Sequence, residues 1–190
     1  MLGSNPHRID YQIYSDISWN MQKRHHPANG YGHGVVVVDM RTGADIRSTN
    51  YSLIPSNRPA KKVNTRILET RGMVASALQF LDEHDGDDTA WSVELCCDNQ
   101  GSVLEFVALL EVTDAENAWY LRHRNNLDEK DIVRLRSAAT AFHCTWVPGH
   151  SGVRWNQVAD QLAREKRWTV ERPHTRKTRG KRAELQVQEI

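Results

Sequence analysis

The sequence predicts an α/β domain built on a mixed five-stranded sheet, an antiparallel meander followed by parallel strands, flanked by helices. Two observations carry this. The first fifty-odd residues hold three β-patterned stretches in succession, with no helical period among them. From Arg66 onward, helical and strand patterns alternate.

The first stretch, YQIYSDIS at residues 11–18, alternates apolar and polar as a half-buried strand does. Gly30, Gly32 and Gly34 punctuate a turn that leads into Val35–Val38, four consecutive valines that read as a buried neighbouring strand. Arg41, Thr42 and Gly43 signal a turn, and Ile46 to Ile54 offers the third strand. Pro55 to Asn64 carries two prolines and no periodicity, so it reads as a loop.

From Arg66 to His84 the pattern is helical: Met73, Ala77, Phe80 and Leu81 share one face, and Gly72 is the one weak helix former. Asp82–Asp88 is an acidic, glycine-containing loop, and Trp91 to Cys97 is a strand. A helix over Gln100–Val112 follows, then a polar stretch around Asp114–Leu127. Asp128 caps a helix that runs through Thr140, and His143–Val147 is a strand ended by Pro148 and Gly149. Trp155, Val158, Ala159 and Leu162 mark the apolar face of a last helix. The expected order is β-β-β-α-β-α-α-β-α. It divides the chain into an N-terminal extension (residues 1–10), one domain (11–168) and a polar, basic tail expected to be disordered (169–190).

At 190 residues such a domain buries a core without disulfide staples. Cys96, Cys97 and Cys144 are odd in number and lack metal-ligand spacing, so they read as free thiols in a reducing compartment. No apolar run approaches the ~20 residues of a membrane span, and MLGSNPHRID has no secretory apolar core. The expectation is a soluble intracellular protein with no membrane partner. The net charge of +1 conceals an asymmetry. Residues 1–64 carry eight Lys/Arg against four Asp/Glu, residues 65–160 eight against sixteen, and residues 161–190 nine against four. An acidic centre between basic ends suits carboxylates that hold metal beside flanks that hold a polyanion, and equally a solvated acidic face with a tail.

Four carboxylates sit at awkward places. Asp16 interrupts a strand, on the face of Gln12 and Tyr14. Asp98 ends a strand, Glu69 lies in the first turn of the long helix, and Asp160 is one position from the apolar face of the last helix. A carboxylate near an apolar face must be paired, neutral or metal-bound, because burying a lone charge is costly. Taken singly, each is also an ordinary surface acid.

The segment WVPGHSGVRWNQVADQLARE, residues 146–165, resembles a motif of the ribonuclease H family: a strand, a Gly-His-x-Gly loop, an Asn, and an Asp ten residues after the His. IYSDIS around Asp16 resembles the family's first-strand Asp motif, Glu69 heads a helix as its second acid does, and CCDNQGSV resembles its strand-end Asp followed by a polar residue and Gln. The resemblance spans residues 11–165 and implies cleavage of the RNA strand of an RNA–DNA hybrid, leaving a 5′-phosphate and a 3′-hydroxyl. It implies two Mg²⁺ per site, with Mn²⁺ as a substitute. Asp16 matches the acid that bridges both metals. Glu69 and Asp98 match its partners on the leaving-group metal, and Asp160 its partner on the nucleophile-side metal. His150 matches the mobile catalytic His, although a histidine after Pro-Gly also decorates exposed turns. Ser18, Asn99, Gln100 and Asn156 are the expected hybrid contacts, and Trp119, near Arg122 and Arg124, resembles a basic aromatic handle or simply packs. The hard oxygen donors suit Mg²⁺ as the cysteines do not.

Ile17 stands where the family usually has Gly, so its Cβ threatens a close backbone approach. Two other readings stay open at this level: another enzyme of the same fold, such as an integrase or junction resolvase, and a non-catalytic nucleic-acid-binding domain. A monomer is expected, either free-standing or from a reverse-transcriptase system.

Overall fold

The computed structural model describes residues 8–19, 30–53, 64–84 and 91–171. Residues 1–7 of the expected extension, residues 20–29, Ile54 of the expected third strand, the expected loop but for Asn64, residues 85–90 and the expected tail from 172 onward lie outside the described residues. Strands β1 (Tyr11–Trp19), β2 (Gly30–Asp39) and β3 (Asp45–Leu53) form the antiparallel meander. Strands β4 (Val93–Cys97) and β5 (Phe142–Trp146) add in parallel, giving the order β3-β2-β1-β4-β5. The mixed five-stranded sheet expected from the pattern is the one observed.

Val35–Val38 are all buried because the sheet is covered on both faces. Val35 and Val37 join Ile13, Leu95, Met73, Phe80, Phe106 and Leu135 in the main core. This core lies between the sheet and α1 (Thr65–Glu83), α2 (Gln100–Glu111) and α4 (Glu129–Ser137). Val36 and Val38 turn the other way, packing with Tyr14, Cys96 and Ala159 under α5 (Arg154–Glu171). Each fully buried Phe or Leu in these clusters stabilises the fold by about 1.5–3 kcal/mol relative to exposure. Cys96 and Cys97 are buried and Cys144 is partly so, all as free thiols.

Two expectations need correction. Gly30, Gly32 and Gly34 are not a turn; they belong to β2. A Cβ on Gly32 would lie 2.1 Å from the Ala163 carbonyl oxygen, and one on Gly34 would lie 2.0 Å from that of Ala159. The glycines therefore form the seat on which the backbone of α5 rests. The polar stretch after α2, to which no element was assigned, is a fifth helix, α3 (Ala115–Asn125). Asp114 caps its N-terminus by accepting from the Asn117 N–H, and Asn126 closes it in the left-handed region at φ 52°. Its anchor is polar. Buried Asn125 donates to Glu105 at 2.7 Å, and buried Glu105 also pairs with Arg66 at 3.0 Å and Arg124 at 3.6 Å. A helix held by a buried carboxylate has no apolar stripe for a periodicity reading to find.

No helix among the described residues is long and apolar enough to cross a membrane.

Candidate active site

The site forms where β1 parts from β4. Their pairing ends at Tyr14 opposite Cys96, while β1 continues to Trp19 beside β2. Asp16 lies just past the last shared pair, and Asp98 immediately follows β4. The gap lets side chains from both faces of the sheet meet, as ligand sites do at the carboxyl ends of strands where strand order switches. Glu69 comes from the helix on one face and Asp160 from the helix on the other.

Gly72, one turn beyond Glu69, brings α1 in close. A Cβ there would stand 3.1 Å from Ile17 Cδ1 and 3.2 Å from Ser15 Oγ. Ile17 itself packs with Tyr31 and Leu68 in a small buried cluster, while its edge still lines the cleft. Its bulk is thus taken up largely against α1.

Asp16, Glu69 and Asp98 each offer one carboxylate oxygen, all within 4.8 Å of one another. Asp16 is 6% exposed and Glu69 3%, and no Lys or Arg makes an ion pair with any of the three among the described residues. Burial pushes the Asp16 carboxyl up to about 8, reinforced by Asp98 and Asp160; the Ile17 N–H, which donates to Asp16 Oδ1 at 2.6 Å, and the charge of Arg164 pull it back. Burial, then Asp16 and Asp98, raises Glu69 well above the usual carboxylate range. Asp98 is raised by burial and Asp160 and lowered by a hydrogen bond from Asn156. Such a set stays together only with protons or cations to offset the repulsion.

Asp160 stands outside that tight group and forms an ion pair with Arg164 at 2.7 Å, one helical turn away. It lines the same cleft of about 560 Å³ as Asp16, Glu69, Asp98, Asn99, Gln100, His150 and Asn156. His150 is exposed in a left-handed turn at φ 55°. It is set there by Gly149, where a Cβ would come within 2.9 Å of Asp98 Oδ2. Asn99 caps α2 through its side-chain oxygen, leaving its amide N–H groups for other partners. Asn156 is buried, and its Oδ1 has no hydrogen-bond partner among the described residues. Ser18 is placed differently: it does not line the cleft but is buried, accepting from Arg167 at 2.9 Å.

Among solved structures of this architecture is LC11-RNase H1, isolated from compost by a metagenomic approach. It matches with a TM-score of 0.52 and 14% identity over 83% of this chain and 98% of its own. The chain has the ribonuclease H fold. The same LC11-RNase H1 in complex with an RNA/DNA hybrid matches with a TM-score of 0.50 and 13% identity, over 82% of this chain and 97% of that one. The RNase H domain of prototype foamy virus matches with a TM-score of 0.54 and 12% identity, over 87% and 98%. No protein-family model and no curated protein matches the sequence.

Within this ribonuclease H fold, α3 presents Trp119 and Tyr120 to solvent, 55% and 54% exposed. Trp119 stacks on His123 with ring centroids 4.0 Å apart, so it does not pack into the core. Among the cleft residues that sequence reasoning did not place in the site are Trp146 and Arg164. Trp146 is 47% exposed, its indole N–H donating to the Asp98 carbonyl at 3.0 Å. Arg164 was signalled by its i,i+4 spacing from Asp160, a pairing distance on any helix.

Proposed function

We propose that the chain is a ribonuclease H, an endonuclease that hydrolyses the RNA strand of RNA–DNA hybrids with divalent cations held by Asp16, Glu69, Asp98 and Asp160. The observation that carries this is the convergence of three carboxylates from β1, α1 and the end of β4 within 4.8 Å, two of them buried without a cationic side chain. The donor set fits Mg²⁺, with Mn²⁺ as the substitute: hard oxygens only, in an open cleft that leaves room for water and phosphate. A pair of such cations, when bound, supplies a nucleophile at neutral pH and neutralises charge on the leaving oxygen.

The chain's own residues then divide the remaining work. Asp16 shares the tight group with Glu69 and Asp98 and also feels the charge of Asp160. Asn156 lines the cleft with Asp98 and draws its carboxyl down, against the rise that burial imposes. His150, exposed at the cleft mouth, carries a proton to or from the departing product. The amide N–H groups of Asn99 and the side chain of Gln100, at the start of α2, suit hydrogen bonds to RNA 2′-hydroxyls, which distinguish RNA from DNA without reading bases. The likeness in fold to LC11-RNase H1, whose hybrid complex is known, supports the choice of substrate.

The test is incubation of the protein with end-labelled RNA–DNA hybrid, duplex RNA, duplex DNA and single strands, in Mg²⁺, Mn²⁺ or chelator. Metal-dependent cleavage of the RNA in the hybrid alone is expected, leaving 5′-phosphates. Cleavage of duplex DNA would point to another enzyme of the fold, and binding without cleavage to a non-catalytic domain; either overturns the proposal.

A further inference from the structure

Among the described residues, Asp160 is the one acid of the cleft that forms an ion pair with an arginine or lysine. Its Oδ2 lies 2.7 Å from an Arg164 guanidinium nitrogen, and Arg164 lines the cleft. The other three acids gather tightly without such a partner. The site is therefore divided: a trio, two of them buried, with no ion-paired Lys or Arg among the described residues, and a fourth carboxylate already paired from within the chain.

A divalent ion bound to a carboxylate oxygen at about 2.1 Å would come within about 4 Å of a guanidinium on that same carboxylate. Like charges at that separation repel, so the two cations compete. The Arg164 side chain is 53% exposed and Asp160 24%, so the arginine can swing into solvent without unfolding anything. Its pair with Asp160 is of the half-exposed kind, worth a few-fold in affinity rather than orders of magnitude.

We propose that Arg164 is a built-in competitor for the cation that uses Asp160, setting that cation's affinity below the affinity of the ion held by Asp16, Glu69 and Asp98. This rests on the metal reading above. Cation occupancy at Asp160 is then graded by a side chain that both detaches and stays near, its positive charge left in the cleft for an anionic substrate.

Mn²⁺ binding, followed by titration calorimetry and by the electron paramagnetic resonance signal of free Mn²⁺, tests this without any turnover. The full chain should show a tighter and a weaker class of site. Arg164→Gln should tighten the weaker class by about 3- to 10-fold, the scale of one partly exposed ion pair plus relief of like-charge repulsion, and leave the tighter class within about twofold. In an Asp160→Asn background, Arg164→Gln should have no such effect. Arg154→Gln serves as the charge control: its guanidinium lies over the Trp155 ring at 4.2 Å and does not line the cleft, and it should change neither class. Circular dichroism melts establish that each variant is folded. If the full chain binds Mn²⁺ but Arg164→Gln leaves the weaker class unchanged, or if Arg154→Gln tightens it equally, the competitor is refuted and the metal reading stands. If the full chain binds no Mn²⁺ at all, both fall.

Discussion

Asp16 is 6% exposed between like charges, so substituting it separates chemistry from stability. Asp16→Asn should remove cleavage while keeping the fold and hybrid binding; a residual rate above about one hundredth of the parent, under ~3 kcal/mol of barrier, contradicts its role. Its folded pKa of about 8 is far above that of an unfolded aspartate, so without metal the native state holds the extra proton. Stability from this group is full below about pH 4 and is lost as pH rises through 8. The Asn variant should therefore melt higher than the parent in chelator, and by more at pH 9 than at pH 5. His33 works in the opposite direction. Burial lowers it from 6.5 to about 4, with its Nε2 hydrogen-bonded within 3.1–3.2 Å of the Ser15 and Ser76 hydroxyls. The unfolded chain takes up that proton first, so stability is full above about pH 6.5 and falls as pH drops towards 4, by roughly 3 kcal/mol for a shift of this size. Acid melts of His33→Asn should lack that slope; an unchanged slope assigns it to other groups. For His150, exposed and free of a packing role, His150→Ala should slow turnover by about 10- to 1000-fold with little change in affinity. Comparison of single-turnover and steady-state rates locates the affected step, and an unchanged turnover number leaves only an exposed turn.

Among the elements, the seat of α5 on β2 decides whether Asp160 reaches the cleft. Gly34→Ala puts a methyl group 2.0 Å from the Ala159 carbonyl oxygen, on a helix backbone that cannot yield locally. The helix must lift, at about 3 kcal/mol for an overpacked interface, which for a domain of this size lowers the melting temperature by roughly 10 °C. Metal-dependent activity should fall with it, since Asp160 moves with α5; a melt within about 2 °C of the parent would show that the contact is not tight. The same glycines mark where the sequence was hard to read. The meaning of Gly32 and Gly34 lies in a helix more than a hundred residues away, while locally Gly30, Gly32 and Gly34 look like a turn. Helix α3 was hidden for a related reason, because buried Glu105 rather than an apolar stripe holds it. The strands and the helices α1, α2, α4 and α5 were legible because apolar periodicity encodes burial directly. Asp16, Glu69, Asp98, Asp160 and His150 were legible only through the spacing of the 146–165 motif and the order of the acids. Nothing local distinguishes them from surface carboxylates; what brings them to one cleft is the parting of β1 from β4.

For the whole molecule, charge distribution is the property that bears on a polyanionic partner. The cleft is acidic, and on the proposed function it accepts a phosphodiester only with cations bound, while positive charge collects towards the end of the sequence. Residues 172–190 carry Arg172, Arg176, Lys177, Arg179, Lys181 and Arg182 against two glutamates. Such a segment near a nucleic acid adds affinity by releasing condensed counterions, and it does so without regard to base sequence. None of the proposed metal ligands lies in it. Deleting residues 172–190 should therefore weaken hybrid binding at low salt, flatten the dependence of log Kd on log salt, and leave turnover at saturating substrate almost unchanged. Each phosphate contact contributes about 0.9 to that slope on duplex DNA, so engaging even three of the six basic residues would change it by about 2 to 3. Fluorescence anisotropy with a labelled hybrid, run for both forms across a salt series in Ca²⁺ to prevent turnover, measures the two slopes. If the slopes coincide, the basic segment does not touch the nucleic acid and its charge serves solubility or transport instead. If the slopes differ but turnover at saturation also falls, the segment acts on the catalytic domain itself, and the separation of binding from chemistry fails.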